Sequence, residues 1–196
     1  VPMMVAIFPT VGVPAQYVQQ MALGTSLASI MITSVSSARA HHARGAVHWD
    51  IFKAITPGIL LGTFFGGLVA THMPTMFLKI FFICFILVVS AQMLSNYRPP
   101  ASRDLPGKMG TAGVGGVIGL ISSFVGIGGG TLSVPFMTFC NVPLHHAVGT
   151  SAAIGFPIAV AGTLGFVVGG WGRPELPAMS LGFVNLWALI GKIGRA

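Results

Sequence analysis

Acidic side chains are nearly absent from this sequence: 196 residues contain only Asp50, Asp104 and Glu175. None lies within an apolar run, so a proton or cation relay built on intramembrane carboxylates is poorly supported. Charge of either sign is scarce, at 7% of residues, where soluble domains carry about 25%. Cysteine is limited to Cys84 and Cys140, isolated in hydrophobic surroundings without a CxxC pair, which argues against a disulfide framework or a thiolate metal site. No Gly-x-Ser-x-Gly is present and no acid pairs with a span-embedded histidine, so triad chemistry finds no support. Gly126-Ile127-Gly128-Gly129-Gly130-Thr131 has the wrong spacing for a dinucleotide fingerprint, and no Lys-Ser/Thr follows it to make a P-loop. These absences argue against an enzyme and call for no cofactor.

Apolar length is what the chain has. Hydrophobic residues make up 54% of it, mean hydropathy is +0.86, and there are 27 glycines and 10 methionines. This predicts an all-α, polytopic membrane bundle with close helix–helix packing and the lipid bilayer as its main partner. A net charge of +7 and a pI near 10.3 would suggest nucleic acid for a soluble protein. Here the basic residues sit in short loops, where they fix topology, and no nucleic-acid partner is expected.

The organising stretch is Gly126-Ile127-Gly128-Gly129-Gly130-Thr131-Leu132-Ser133-Val134-Pro135, inside an apolar run over 109–139. One span needs about 20 residues, and each glycine costs about 1 kcal/mol in a helix interior. A helix break at membrane depth is therefore expected, tolerated only where it is buried in protein or lines a polar cavity. Other spans are expected at 21–38, 51–71, 76–94 and 147–170, with a partial one at 180–191 and a loop at 9–20. Gly58, Gly62 and Gly66 mark one tightly packed face, beside a kink expected at Pro57.

Arg39, Arg44 and Lys53, and two crossings later Arg98, Arg103 and Lys108, place those loops in the cytoplasm. The turns at 9–20, 72–75 and 141–146 contain no Lys or Arg and are expected on the other side. Lys79, near the opposite face, can snorkel to the headgroups. His145 and His146 then stand at the outer mouth, where they could draw anions or pass protons; an interfacial loop pair is the plainer reading. His41, His42 and His48 read as part of a topogenic basic loop, since a metal site needs about three or four converging ligands. Trp49, Trp171 and Trp187 read as interface anchors.

The chain repeats itself. Val1-Pro2-Met3-Met4 followed by Ala22-Leu23-Gly24-Thr25-Ser26 recurs as Val134-Pro135-Phe136-Met137 followed by Ala147-Val148-Gly149-Thr150-Ser151. Val47-His48-Trp49 with Lys53 has a looser echo in Val184-Asn185-Leu186-Trp187 with Lys192. This divides the chain into a first repeat (1–95), a cytoplasmic linker (96–108) and a second repeat (109–196). Copy one lacks a glycine-broken helix before its Val-Pro, and copy two stops early. The expectation is a fragment, with about six spans, of an eight-span protein in two four-span halves. Whether the halves are parallel or inverted turns on the broken helix: spanning makes them parallel, re-entrant makes them inverted.

Gly-Ile-Gly-Gly-Gly-x-x-x-Val-Pro at 126–135, followed by Ala-Val-Gly-Thr-Ser at 147–151, resembles the TauE/SafE family of sulfite and organosulfur-anion exporters. The first-half Ala-Leu-Gly-Thr-Ser at 22–26 and Ile59-Leu60-Leu61-Gly62 with Gly66 carry the likeness over nearly the whole chain. The resemblance implies an eight-span secondary carrier moving small sulfur-containing anions.

Broken half-helices offer amides whose dipole end favours anions, and Thr and Ser hydroxyls add neutral donors. A substrate site is therefore expected at Gly128, Gly129, Gly130, Thr131 and Pro135 with Gly149, Thr150 and Ser151, joined by Gly24, Thr25 and Ser26. The alternative for these glycines is tight helix crossing alone. No Lys or Arg lies within a span near them, so selectivity would rest on dipoles and hydroxyls. The expected function is alternating-access anion transport in the inner membrane. Transport of another small anion or a metal ion, and a non-transporting scaffold, stay open, as does pairing into a homodimer.

Overall fold

A computed structural model describes residues 1–94, 106–172, 176 and 180–193. The linker residues 96–105 expected from the sequence, with Arg98, Arg103 and Asp104, lie outside the described residues, as do Arg173 and Glu175. The fold is an all-α membrane bundle: α1 (Pro2–Ile7), α2 (Val18–Ala43), α3 (Trp49–His72), α4 (Thr75–Leu94), α5 (Lys108–Val125), α6 (Gly130–Phe139), α7 (Leu144–Gly169) and α8 (Leu186–Ile193). A two-residue antiparallel ribbon, β1 (Ser180–Leu181) and β2 (Val184–Asn185), precedes α8. Four helices, α2, α3, α4 and α7, are long and apolar enough to cross a membrane, so the chain is a multi-pass membrane protein.

Burial sorts these helices by what they face. Within the most apolar stretches of α2 and α7, 56% of residues are buried in protein, against 6% for α4. Most Phe, Ile, Leu and Val side chains of α4 therefore face outward, with Leu78 and Phe81 turned to the core, while α2 and α7 form the centre. That is why α2 tolerates so many Ser, Thr and Ala residues. Hydroxyls inside a bundle bond to backbone carbonyls, as buried Ser34 does to that of Met31. The glycine face of α3 meets α5: a Cβ at Gly58 would collide with the Ala112 carbonyl, and one at Gly62 with that of Gly116. Pro57 sits inside α3.

Contact order along the helices gives their directions. Gly58, Gly62 and Gly66 meet Ala112, Gly116 and Leu120 in rising order, so α3 and α5 run parallel. Thr63, Gly67 and Thr71 meet Gly162, Gly165 and Gly169, so α7 runs with them. By contrast, Gly24, Leu27 and Ser34 of α2 meet Phe166, Gly162 and Gly155 in falling order. Hence α2 and α7 are antiparallel. Both have 26 residues and both carry Gly-Thr-Ser near their starts. The two Gly-Thr-Ser helices thus point opposite ways, as inverted repeats require.

One open question is answered and four expectations change. The broken segment is no single crossing: α5 rises beside α7, and α6 returns antiparallel to it, Gly129 meeting Ile158 and Ser133 meeting Ser151. The segment is a re-entrant hairpin. The turn at 141–146 therefore returns to the basic side, where His146 packs on His48 with ring centroids 4.3 Å apart; it is not an outer mouth. The expected count of about six spans becomes four crossing-length helices plus this hairpin. The predicted partial span at 180–191 is a ribbon and an eight-residue helix, because Gly182 turns the chain with φ +54°. The predicted loop at 9–20 ends sooner, since α2 already begins at Val18.

The α3–α5 contact is backbone against backbone, so it leaves no room for a side chain. Gly62→Val should cost more than the about 1–3 kcal/mol typical of overpacking and abolish the monodisperse folded peak in detergent size exclusion. Gly113→Ala, facing open space, should keep that peak and leave the melting temperature unchanged or slightly higher, since alanine favours the helix over glycine.

Candidate functional site

The hairpin tip is built from glycines because its backbone requires it. Gly126 ends α5 with φ +69°, and Gly129 precedes α6 with φ +76°, both left-handed. The amides of Gly126 and Ile127 fold back onto the Ser122 carbonyl at 2.8 and 3.3 Å, and those of Leu132 and Ser133 onto the Gly129 carbonyl at 3.1 and 2.9 Å. Between them, the amides of Gly128, Gly129, Gly130 and Thr131 find no acceptor among the described residues, and no side chain caps α6. Free donors at the positive end of a helix dipole, inside an apolar bundle, form an anion-attracting point.

A cavity of about 510 Å³ opens onto this point. Gly128, Gly130 and Val134 come from the hairpin; Val148, Ser151, Ala152 and Gly155 from α7; and Ile30, Thr33, Ser34, Ser37 and His41 from α2. Its hydroxyls sit on one side and the helix end on another, with no Lys or Arg in the lining. Gly128 packs on Gly155, about three turns into α7, while His41 lies at the basic end of α2. The cavity thus runs from the basic face into the bundle.

Of the residues expected from the sequence, Gly128, Gly130 and Ser151 line this cavity. Gly129 is buried against Ile158, Thr131 is exposed and Pro135 lies half-buried within α6. Thr25 and Thr150 have other work. The Thr150 hydroxyl accepts the His48 amide at 2.9 Å, and the Thr25 hydroxyl accepts the Asn185 amide at 3.0 Å. Each bond runs from the segment entering α3 or α8 in one repeat to the Gly-Thr-Ser helix of the other. Gly149 and Gly24 make room for it: a Cβ there would stand 2.5 Å from the Ala46 carbonyl oxygen and 2.6 Å from that of Phe183. Ser26 donates to the Gly126 carbonyl at 3.3 Å, steadying the hairpin tip from the first repeat.

Sequence reasoning missed the α2 wall. Ile30, Thr33, Ser34, Ser37 and His41 recur at three- and four-residue steps, one face of a helix, and that polar stripe was the available signal. His41 belongs to the cavity mouth as well as the basic loop. His48, His145 and His146 stack across the two repeats at 4.3 and 3.9 Å between ring centroids. Among the described residues no group of three His, Cys, Asp or Glu is placed to hold a metal ion. Trp49 packs edge-on to His42 and donates its indole N–H to His42 Nδ1 at 3.2 Å.

Comparison with known proteins agrees with this architecture. The family model for the sulfite exporter TauE/SafE matches residues 1–194. A probable membrane transporter protein of Haemophilus influenzae is 34% identical over 97% of this chain and 73% of its own length. Relatives with the same description in Bacillus subtilis and Methanocaldococcus jannaschii are 27% and 29% identical, over 76% and 83% of this chain. The chain spans 64% and 61% of the lengths of those two. No solved structure matches it.

The paired threonine bonds make an unequal prediction. Thr25→Val leaves the buried Asn185 amide without its acceptor, which should cost about 1–3 kcal/mol, whereas Thr150→Val removes the acceptor of the part-buried His48 amide and should lower the melting temperature less. Thr→Ser at either position keeps the oxygen and should recover most of the loss.

Proposed function

The chain belongs to the sulfite exporter TauE/SafE family, and from that premise we propose that it carries small sulfur-containing oxyanions, sulfite or a sulfonate, through the cavity between α2, α6 and α7. One observation carries this reading: unpaired amides at the start of α6 open onto a hydroxyl-bearing cavity that holds no full cation. Dipoles and hydroxyls attract an anion in a low-dielectric site yet bind it less tightly than a buried lysine would, so it can leave again. Gly130, Gly128 and Ser151 would touch the substrate, with Ser34 and Ser37 along the approach.

Inverted repeats suit alternating access, in which one arrangement is exchanged for its twofold image. Counting from the two Gly-Thr-Ser motifs, the counterparts of Thr33, Ser34, Ser37 and His41 on α7 are Ile158, Ala159, Gly162 and Phe166. Gly162 packs against Leu27 and Phe166 against Gly24, and Ile158, Ala159 and Phe166 are fully buried. One end of the seam is open and polar while its image is shut and apolar. This arrangement supports a carrier resting open to its basic face, which the distribution of Arg and Lys assigns to the cytoplasmic side of an inner membrane.

Flux of labelled sulfite in vesicles reconstituted with the full-length protein tests the proposal. Gly130→Val fills the cavity without a backbone clash, since a Cβ there meets only Ser151 Oγ at 3.4 Å. It should cut flux at least about tenfold, equivalent to about 1.4 kcal/mol, with folding intact. Unchanged flux, or no sulfite or sulfonate flux in the wild type, overturns the proposal.

A further inference from the structure

Ser122 stands in the last turn of α5, where its carbonyl holds the Gly126 and Ile127 amides. Its hydroxyl makes no hydrogen bond among the described residues, although the residue is only 2% exposed. Neighbouring serines are occupied. Ser123 donates to the Thr63 and Gly119 carbonyls, Ser133 to the Gly129 carbonyl and Ser151, and Ser26 to the Gly126 carbonyl. A helical serine ordinarily bonds back to the carbonyl one turn earlier; Ser122 does not. An orphaned hydroxyl in an apolar bundle is destabilising and invites an explanation.

Its position supplies one. Ser122 Oγ lies 3.7 Å from the point a Cβ on Gly129 would occupy. It therefore lies beside Gly129, the residue that precedes α6. The cavity reaches Gly128 and Gly130 but does not include Ser122, because Ile158 packs over Gly129. Two independent features, a free helix end and a buried unpartnered hydroxyl, thus converge just inside the cavity floor.

We propose that Ser122 is a ligand-contacting residue of an inner anion subsite. Its hydroxyl donates to one oxygen of a sulfur oxyanion that has moved past Gly128 onto the amides at the start of α6. Ile158, the twofold counterpart of Thr33, is the side chain that moves aside to admit it. This deepens the transport reading and rests on it: the cavity is the first station, and Ser122 marks the second.

Sulfite binding to the purified full-length protein provides the test, followed as the shift in melting temperature on titration with sodium sulfite, with sodium chloride at equal ionic strength as reference. Ser122→Ala should melt at or above the wild-type temperature without ligand, because an orphaned group has been removed. Its apparent affinity for sulfite should fall about ten- to a hundredfold, the usual effect of losing a hydrogen bond to a charged group. Ser122→Thr, which keeps the hydroxyl, should recover part of that affinity. Wild-type affinity in Ser122→Ala overturns the subsite and leaves the transport reading standing. A wild type that responds to neither sulfite nor a sulfonate, or equally to sodium chloride, overturns both.

Discussion

Two backbone amides, one from each repeat, lie on threonine hydroxyls of the other repeat, and the spacing of the central helices depends on that exchange. Thr150 receives His48, and Thr25 receives Asn185. For the bonds to form, the extended segments before α3 and α8 must press directly on α7 and α2, which only glycine at 149 and 24 permits. Each bond contributes only about 1 kcal/mol net. Their importance is geometric: they are reciprocal and positioned at opposite ends of the α2–α7 seam. With both ends pinned, any difference between the two ends must come from side chains.

The re-entrant hairpin supplies the second constraint. A continuous helix satisfies all its backbone groups except at its ends, and ends normally sit in water. Here α5 stops and α6 starts within the bundle, so donors that would face solvent face protein. Left-handed glycines at 126 and 129 make the reversal, and Ser26 and the Ser122 carbonyl hold it. What remains unpaired is an amide cluster beside a cavity without charge. No lysine or arginine lines that cavity among the described residues.

Much of this was legible from residue order alone. Mean hydropathy and the scarcity of acids dictated a polytopic bundle, because a chain with three carboxylates and long apolar runs has no soluble core to build. The four crossing-length helices and the glycine break followed from length and helix propensity. The Gly-Thr-Ser repeat pointed to α2 and α7, and Gly128, Gly130 and Ser151 among the expected residues line the cavity. Thr33, Ser34, Ser37 and His41 were passed over because a hydroxyl stripe inside a bundle looks the same whether it packs or lines a hollow. Thr25 and Thr150 were expected at the substrate, since a motif shows that an oxygen matters and not which partner it meets.

What the sequence by itself determined, then, is the membrane as solvent, the helices, the position of the break and the existence of two repeats. Each of these is a local or periodic property of the chain. Tertiary structure alone decided that the break doubles back, that α2 and α7 run antiparallel, that residues 141–146 return to the basic face, and that a cavity opens between α2, α6 and α7. Direction and pairing depend on which surfaces approach each other across a hundred residues, and a glycine permits a close approach without naming the helix that will make it.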